Sequence, residues 1–233
     1  CLYTVQIYCD FSGYTDVARG SAKLFGLELP ENFDRPYQAK NPAEFWRRWH
    51  ISLSTWFRDY VYLPLGGSRV SAPRRFANVM ITFLVSGLWH GAAWRFIFWG
   101  GINGAGVAWD AQRAATRKAN GVPERTPGAW PVECLRSVSR AAVTFTIVCL
   151  GWVFFRADTF SDAFVVIGTA FSDFLTGAGY AALKSELRGD TLVTTACLVM
   201  FVVFEWLQRS KECPLEICWV PRPVRWGLYT GAA

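Results

Sequence analysis

FLVSGLWHGAAWRFIFWGGING, residues 83–104, decides how this chain folds: it sets His90 between two glycines inside an apolar run broken by a single arginine, Arg95. The wider run from Phe76 to Trp109 contains no Asp, Glu or Lys and no arginine other than Arg95. As one helix it would measure about 51 Å, against a hydrocarbon core of roughly 30 Å. As two complete spans it is too short, because each wants about 20 residues. The expectation is two short or tilted helices with a break near Ser86–Gly91. Broken backbone at membrane depth is tolerated only where protein buries it or where it lines a wet cavity. His90 is therefore expected at the break, facing such a cavity.

The composition around this run agrees with it. The 233 residues are 52% hydrophobic and 16% aromatic, with 12 Trp and 18 Phe, a balance suited to a polytopic membrane protein with aromatic side chains at its interfaces. The net charge of +6 comes from basic residues that flank apolar runs and do not form a separate basic domain, which argues against nucleic acid as a partner. Cys1 opens directly onto an apolar stretch with no basic segment before it, unlike a signal peptide. The seven cysteines include no CxxC pair and several lie in apolar runs, so buried free thiols are expected. The fold class expected is all-α: a polytopic transmembrane helical bundle with interfacial amphipathic helices and a broken helix pair around His90. Residues 1–233 are expected to form a single membrane-embedded domain, the C-terminal portion of a larger protein.

Upstream of the broken pair, Cys1–Phe25 reads as a helix that gains polar groups toward its end. Asp10 and Asp16 stand about 120° apart on it, so they make no acid/base pair. Gly26–Lys40 is a loop with two prolines. Asn41-Pro42-Ala43-Glu44 has the pattern of a helix start, with Asn as N-cap, Pro first and Glu third. From there Phe45, Trp46, Trp49, Leu53, Trp56, Phe57 and Tyr60 recur at spacings of three and four, which predicts one amphipathic interfacial helix carrying His50 on or beside its apolar face. It closes at Pro64-Leu65-Gly66-Gly67.

Basic residues dominate both Arg35–Arg75 and Asp110–Arg140, and three prolines make the second of these a loop. The positive-inside tendency puts both on the cytoplasmic side, so the segment between them enters and returns on one side. Ala141–Phe155 and Thr191–Leu207 read as further spans. Ser161–Asp190 reads as a loop with an amphipathic piece, and the remainder is Pro-rich.

Gly-rich phosphate loops, nucleophile elbows and zinc-protease motifs are absent from the sequence. The two histidines alone make a poor metal site, and none is expected. General acid/base work by histidine remains, since its ordinary pKa lies nearest neutrality. From pattern alone a structural role for His90 is as good a reading. A transporter would also break a helix at a polar residue, but in two halves, and only one such break is visible. A scaffold would account for the aromatics and glycines.

The stretches DFSGYTDVARGSAKLFGLELPENFDRPYQAKNPAEFWRRWHISLSTWFRDYVYLPLGG, LWHGAAWRFIFWG and WVFFRAD resemble the membrane-bound O-acyltransferase (MBOAT) family, and within it the bacterial alginate O-acetyltransferase type. The resemblance covers Cys1 to about Asp162. It implies a many-helix fold around a funnel through the bacterial cytoplasmic (inner) membrane, of which this chain holds the C-terminal half. His90 in LWHG matches the family's catalytic histidine, and His50 in RRWHISLS matches its second functional position. Asn103 departs from the histidine common in similar proteins. The reaction implied is O-acetylation of an exported polysaccharide such as alginate, from acetyl-CoA or another acyl thioester, with D-alanyl transfer to teichoic acid or peptidoglycan O-acetylation as alternatives. The implied partners are the acyl-CoA or acyl carrier donor, the polysaccharide acceptor, an extracytoplasmic acetyltransferase and membrane lipid, with no bound cofactor.

Overall fold

The computed structural model describes residues 2–121 and 130–177, together with 196, 199, 200 and 203. Described residues form helices and loops, with one isolated antiparallel bridge between Phe33 and Trp49. The helices are α1 (Leu2–Leu24), α2 (Pro42–Arg48), α3 (Ile51–Phe57), α4 (Ala72–His90), α5 (Trp94–Ala119), α6 (Trp130–Arg156) and α7 (Phe160–Thr176). A compact unit covers 1–172; the unit that follows, 173–233, lies almost wholly outside the described residues, and with it the expected span Thr191–Leu207 and the Pro-rich end.

The broken pair is an antiparallel hairpin. α4 ends on His90 and α5 begins at Trp94, so the break falls at 91–93, just past the expected place. The two helices touch backbone to backbone. A Cβ on Gly87 would run into the Phe96 carbonyl, and one on Gly100 into the Phe83 carbonyl. Small residues at such a crossing let dispersion contacts build without side chains between the helices. At the far end Arg75 donates to Gln112 Oε1 at 3.3 Å, which brings the two basic flanks together.

Two expectations need correction. The Asp110–Arg140 stretch is not one loop: α5 continues to Ala119 and α6 starts at Trp130, leaving 122–129 outside the described residues. Pro131 misled the reading, because in the first turn of a helix its missing N–H costs nothing. The amphipathic helix after Asn41 is likewise two helices, α2 and α3, interrupted at Trp49–His50. Its 3.6-residue pattern runs through the break, but the burial does not: Phe45, Trp49 and Phe57 are buried, whereas Trp56 and Tyr60 are exposed.

The start of α2 follows its sequence closely. The Asn41 side chain accepts from Glu44 N at 2.8 Å, and Glu44 reaches back to the Lys40 N–H at 2.9 Å. Asp110 of α5 accepts the Ala43 N–H at 3.2 Å, fixing α2 across the hairpin. The core above is aromatic: Phe45, Trp49, Trp99 and Trp152 are all buried, from α2, α5 and α6 and the turn after α2. Among the described residues α6, over Val132–Arg156, is the one helix long and apolar enough to cross a membrane by itself. Cys134 and Cys149 are free thiols and half-buried, and Cys9 is exposed, so the expectation of buried thiols is not met at these three.

Candidate functional site around two histidines

His90 closes α4 and is half-buried in an aromatic frame. Its ring meets Trp89 at 4.8 Å, Trp99 at 5.1 Å and Phe155 at 5.1 Å between centroids, all edge to face. Trp99 comes from α5 and Phe155 from α6, so three helices converge on this imidazole. Arg95 secures the arrangement. Its guanidinium donates to the Ala157 carbonyl, lies 3.5 Å from Asp158 and sits 4.9 Å over the Phe96 ring. The start of α5 is thereby tied to the end of α6, where Phe155 stands. The sequence showed Arg95 only as an interruption; its partners lie sixty residues away and leave no local signal.

His50 occupies the break between α2 and α3 with φ 43°, in the left-handed region. For a residue with a Cβ that backbone costs about 1–2 kcal/mol and persists where neighbours over-determine it. Asn32 does so here. Its carbonyl accepts the Ile51 N–H at 3.0 Å, and its side-chain oxygen accepts from Ser52 N at 3.1 Å and Ser52 Oγ at 2.6 Å. Asp34 N donates to the Arg48 carbonyl at 3.0 Å on the other side of the turn. The imidazole packs edge to face on Phe11 of α1 at 4.7 Å. Burial pushes the His50 pKa down to about 4, with a positive charge on His90 acting in the same direction, so His50 is neutral at pH 7.

A charge on His90 acts on His50, which puts the two histidines within electrostatic reach. A chain of rings connects their surroundings: Trp49, next to His50, meets Trp152 at 5.2 Å, Trp152 meets Phe155 at 5.3 Å, and Phe155 meets His90. Asn103 lies at the edge of this core and makes its own polar contacts. It accepts the Trp46 indole N–H at 3.2 Å and donates to the Trp99 carbonyl at 2.8 Å.

A cavity of about 850 Å³ lies beside the frame, between α2, α3, α4, α5 and the start of α6. Neither histidine lines it. Ser86, one turn before His90, and Ser54, one turn after His50, do. From Ser86 the cavity extends toward the basic end of the hairpin, roughly 10 Å along α4 to Val79 at about 1.5 Å per residue. There it meets Arg47, Arg58, Arg113, Arg117, Arg136 and Arg140, with Asp110 the one acid in its lining. Arg58 is paired with Asp59 and Arg136 with Glu133; Arg47 and Arg117 have no ion pair among the described residues. An apolar passage with a cationic mouth accepts an elongated ligand that is anionic at one end. Among the described residues no three His, Cys, Asp or Glu side chains gather as a metal site.

Residues 1–132 match the family model described as MBOAT, membrane-bound O-acyltransferase family. The chain is 43% identical over 213 residues, 90% of its length and 38% of the relative's, to a protein of Pseudomonas syringae pv. tomato named "Probable alginate O-acetylase AlgI". It is 42% identical over 218 residues, 92% of its length and 38% of the relative's, to the peptidoglycan O-acetyltransferase of Helicobacter pylori. To the teichoic acid D-alanyltransferase of Bacillus subtilis it is 30% identical over 166 residues, 68% of its length and 40% of the relative's. The chain thus spans about two fifths of the relatives it matches.

Proposed function

We propose, for a chain that belongs to the membrane-bound O-acyltransferase family, that its full-length parent transfers an acetyl group from an acyl thioester to a hydroxyl of an exported polysaccharide or of a partner protein that passes it on. The single observation that carries this reading is His90, held at the end of a broken helix by three aromatic rings, two of them from neighbouring helices, one turn from a passage with a cationic mouth.

In the reaction the acceptor oxygen attacks the thioester carbonyl carbon while His90 takes its proton. The carbonyl oxygen carries negative charge in the tetrahedral intermediate. The carbon–sulfur bond then breaks, and the departing thiolate receives a proton in turn. A positioned base typically contributes 10²–10⁴-fold to such a step. His50, neutral at pH 7, orients the acceptor or donates a hydrogen bond to the developing oxyanion. Arg47 and Arg117 are suited to the phosphates of acetyl-CoA or of a carrier-bound thioester at the cytoplasmic mouth.

The parent would cross the inner membrane several times, as one membrane-embedded domain, with an extracytoplasmic acetyltransferase receiving the group. The relatives' names leave three acceptors: alginate, peptidoglycan and teichoic acid, the last with D-alanine as the group transferred. The reading is tested by deleting the parent gene and measuring ester-linked acetate and D-alanine on purified cell-surface polymers. Loss of acetate supports it, loss of D-alanine alone replaces the acyl group assigned here, and no change in either ester sinks it.

A further inference from the structure

A second, smaller cavity of about 400 Å³ lies on the outer side of Asp110, between the start of α2, α5 and α6. Its lining is graded. Lys40, Arg113 and Arg140 surround one end, whereas Val143 and Ile147 of α6 line the other. None of the three cations has an ion pair among the described residues, and all three are exposed. Asp110 is also in the wall, with one oxygen engaged by the Ala43 N–H. Three cations against one acid leave the site cationic.

The position of this gradient along α6 is what identifies the ligand. From Arg140 to Arg156 the helix carries no charged side chain, so Arg140 marks where the apolar span of α6 starts. Val143 and Ile147 follow one and two turns deeper, and both are exposed, at 61% and 38%. Trp109 of α5, 65% exposed, lines the same cavity. Cations at the level of lipid headgroups with open apolar side chains directly beneath match a phospholipid from phosphate to acyl chain. A soluble phosphate would leave Val143 and Ile147 unused.

We infer that the α2–α5–α6 cavity binds an anionic phospholipid, its phosphodiester held by Lys40, Arg113 and Arg140 and an acyl chain lying along Val143 and Ile147. Arg113 and Arg140 also line the larger cavity, so the lipid forms the outer side of the wall that closes the thioester passage.

The test uses the full-length parent in phosphatidylcholine nanodiscs doped with phosphatidylglycerol whose acyl chains are brominated, a quencher of nearby indoles. Quenching by the anionic lipid should be greater in the wild type than in Trp109→Phe, and that difference should shrink at least twofold when brominated phosphatidylcholine replaces it. Ser139 of α6 also lines this cavity. Lys40→Gln, at an exposed side chain without an ion pair, and Lys40→Glu/Ser139→Glu should each diminish the difference, the double variant by at least half. Inorganic phosphate at matched ionic strength should leave it unchanged. Equal quenching by both brominated lipids, no effect of the double variant, or displacement by inorganic phosphate would each overturn the assignment.

Discussion

Gly87 of α4 and Phe96 of α5 meet so closely that a methyl group on the glycine would occupy the position of the Phe96 carbonyl. The contact lies one turn from His90, and the neighbouring frame residue Trp99 is on the same stretch of α5. Backbone cannot yield as a flexible side chain can. Gly87→Ala should therefore cost toward the upper end of the 1–3 kcal/mol typical of overpacking, or about that much in a spread hairpin. A lowered thermal midpoint and lost acyl transfer in the purified parent are expected; an unchanged midpoint would show that α4 and α5 separate without penalty.

Asn32 should act on His50 without touching it. Asn32→Ala removes the acceptor for both Ser52 donors and loosens the left-handed turn, at about 1–2 kcal/mol. Acyl transfer should fall several-fold, and Asn32→Asp, which keeps an oxygen in the same place, should restore most of it. Equal loss in both variants would mean that the side chain does more than hold this turn.

Asn103→Ala leaves the part-buried Trp46 indole N–H without its acceptor, a loss of about 1 kcal/mol. Asn103→Leu, closer in volume, should be no better, because the indole still lacks an acceptor. Thermal melts of the two variants separate this from a cavity effect: marked recovery in the leucine variant would assign the loss to packing.

The pH dependence of stability carries a sign that can be checked. His50 has an ordinary pKa near 6.5 when unfolded and about 4 when folded, so the folded state holds it neutral. Its contribution is complete above pH 6.5 and is lost as the pH falls toward 4, where the unfolded chain takes up a proton that the folded one refuses. His50→Asn, which tolerates the same backbone, should flatten the thermal midpoint across that interval relative to wild type. Parallel curves would show that His50 is solvated in the intact protein.

What the sequence made legible follows the range of the forces involved. The Asn41 cap, the break after His90 and the apolar run of α6 are local patterns, and each reads correctly within a few residues. The interruption at His50 is not local: Asn32 and Phe33 impose it from a loop whose composition gives no hint of either contact. Arg95 is similar, visible as an oddity but explained only by Ala157 and Asp158. The large cavity's mouth combines arginines from α2, α5 and α6, the turn after α3 and, through Arg113 and Arg140, a region read from its prolines as loop. Helical continuity there puts those side chains at regular depths, which the expected loop would not.

His90 is the position on which the proposed chemistry stands. In the full-length parent, His90→Ala should abolish acetylation of the exported polymer while membrane abundance stays nearly normal. Removing a base strikes the chemical step, and an imidazole that is only half-buried contributes less packing than the buried Trp99 beside it. His50→Ala should reduce acetylation less severely if it orients the acceptor, and the two substitutions together should cost little more than His90→Ala alone, because residues serving one step are not additive. Ester-linked acetate would be measured on purified polymer, with protein quantified in the membrane fraction. Normal acetylation by His90→Ala would end the mechanism, and acetylation lost together with the protein itself would make His90 a structural residue of the aromatic frame.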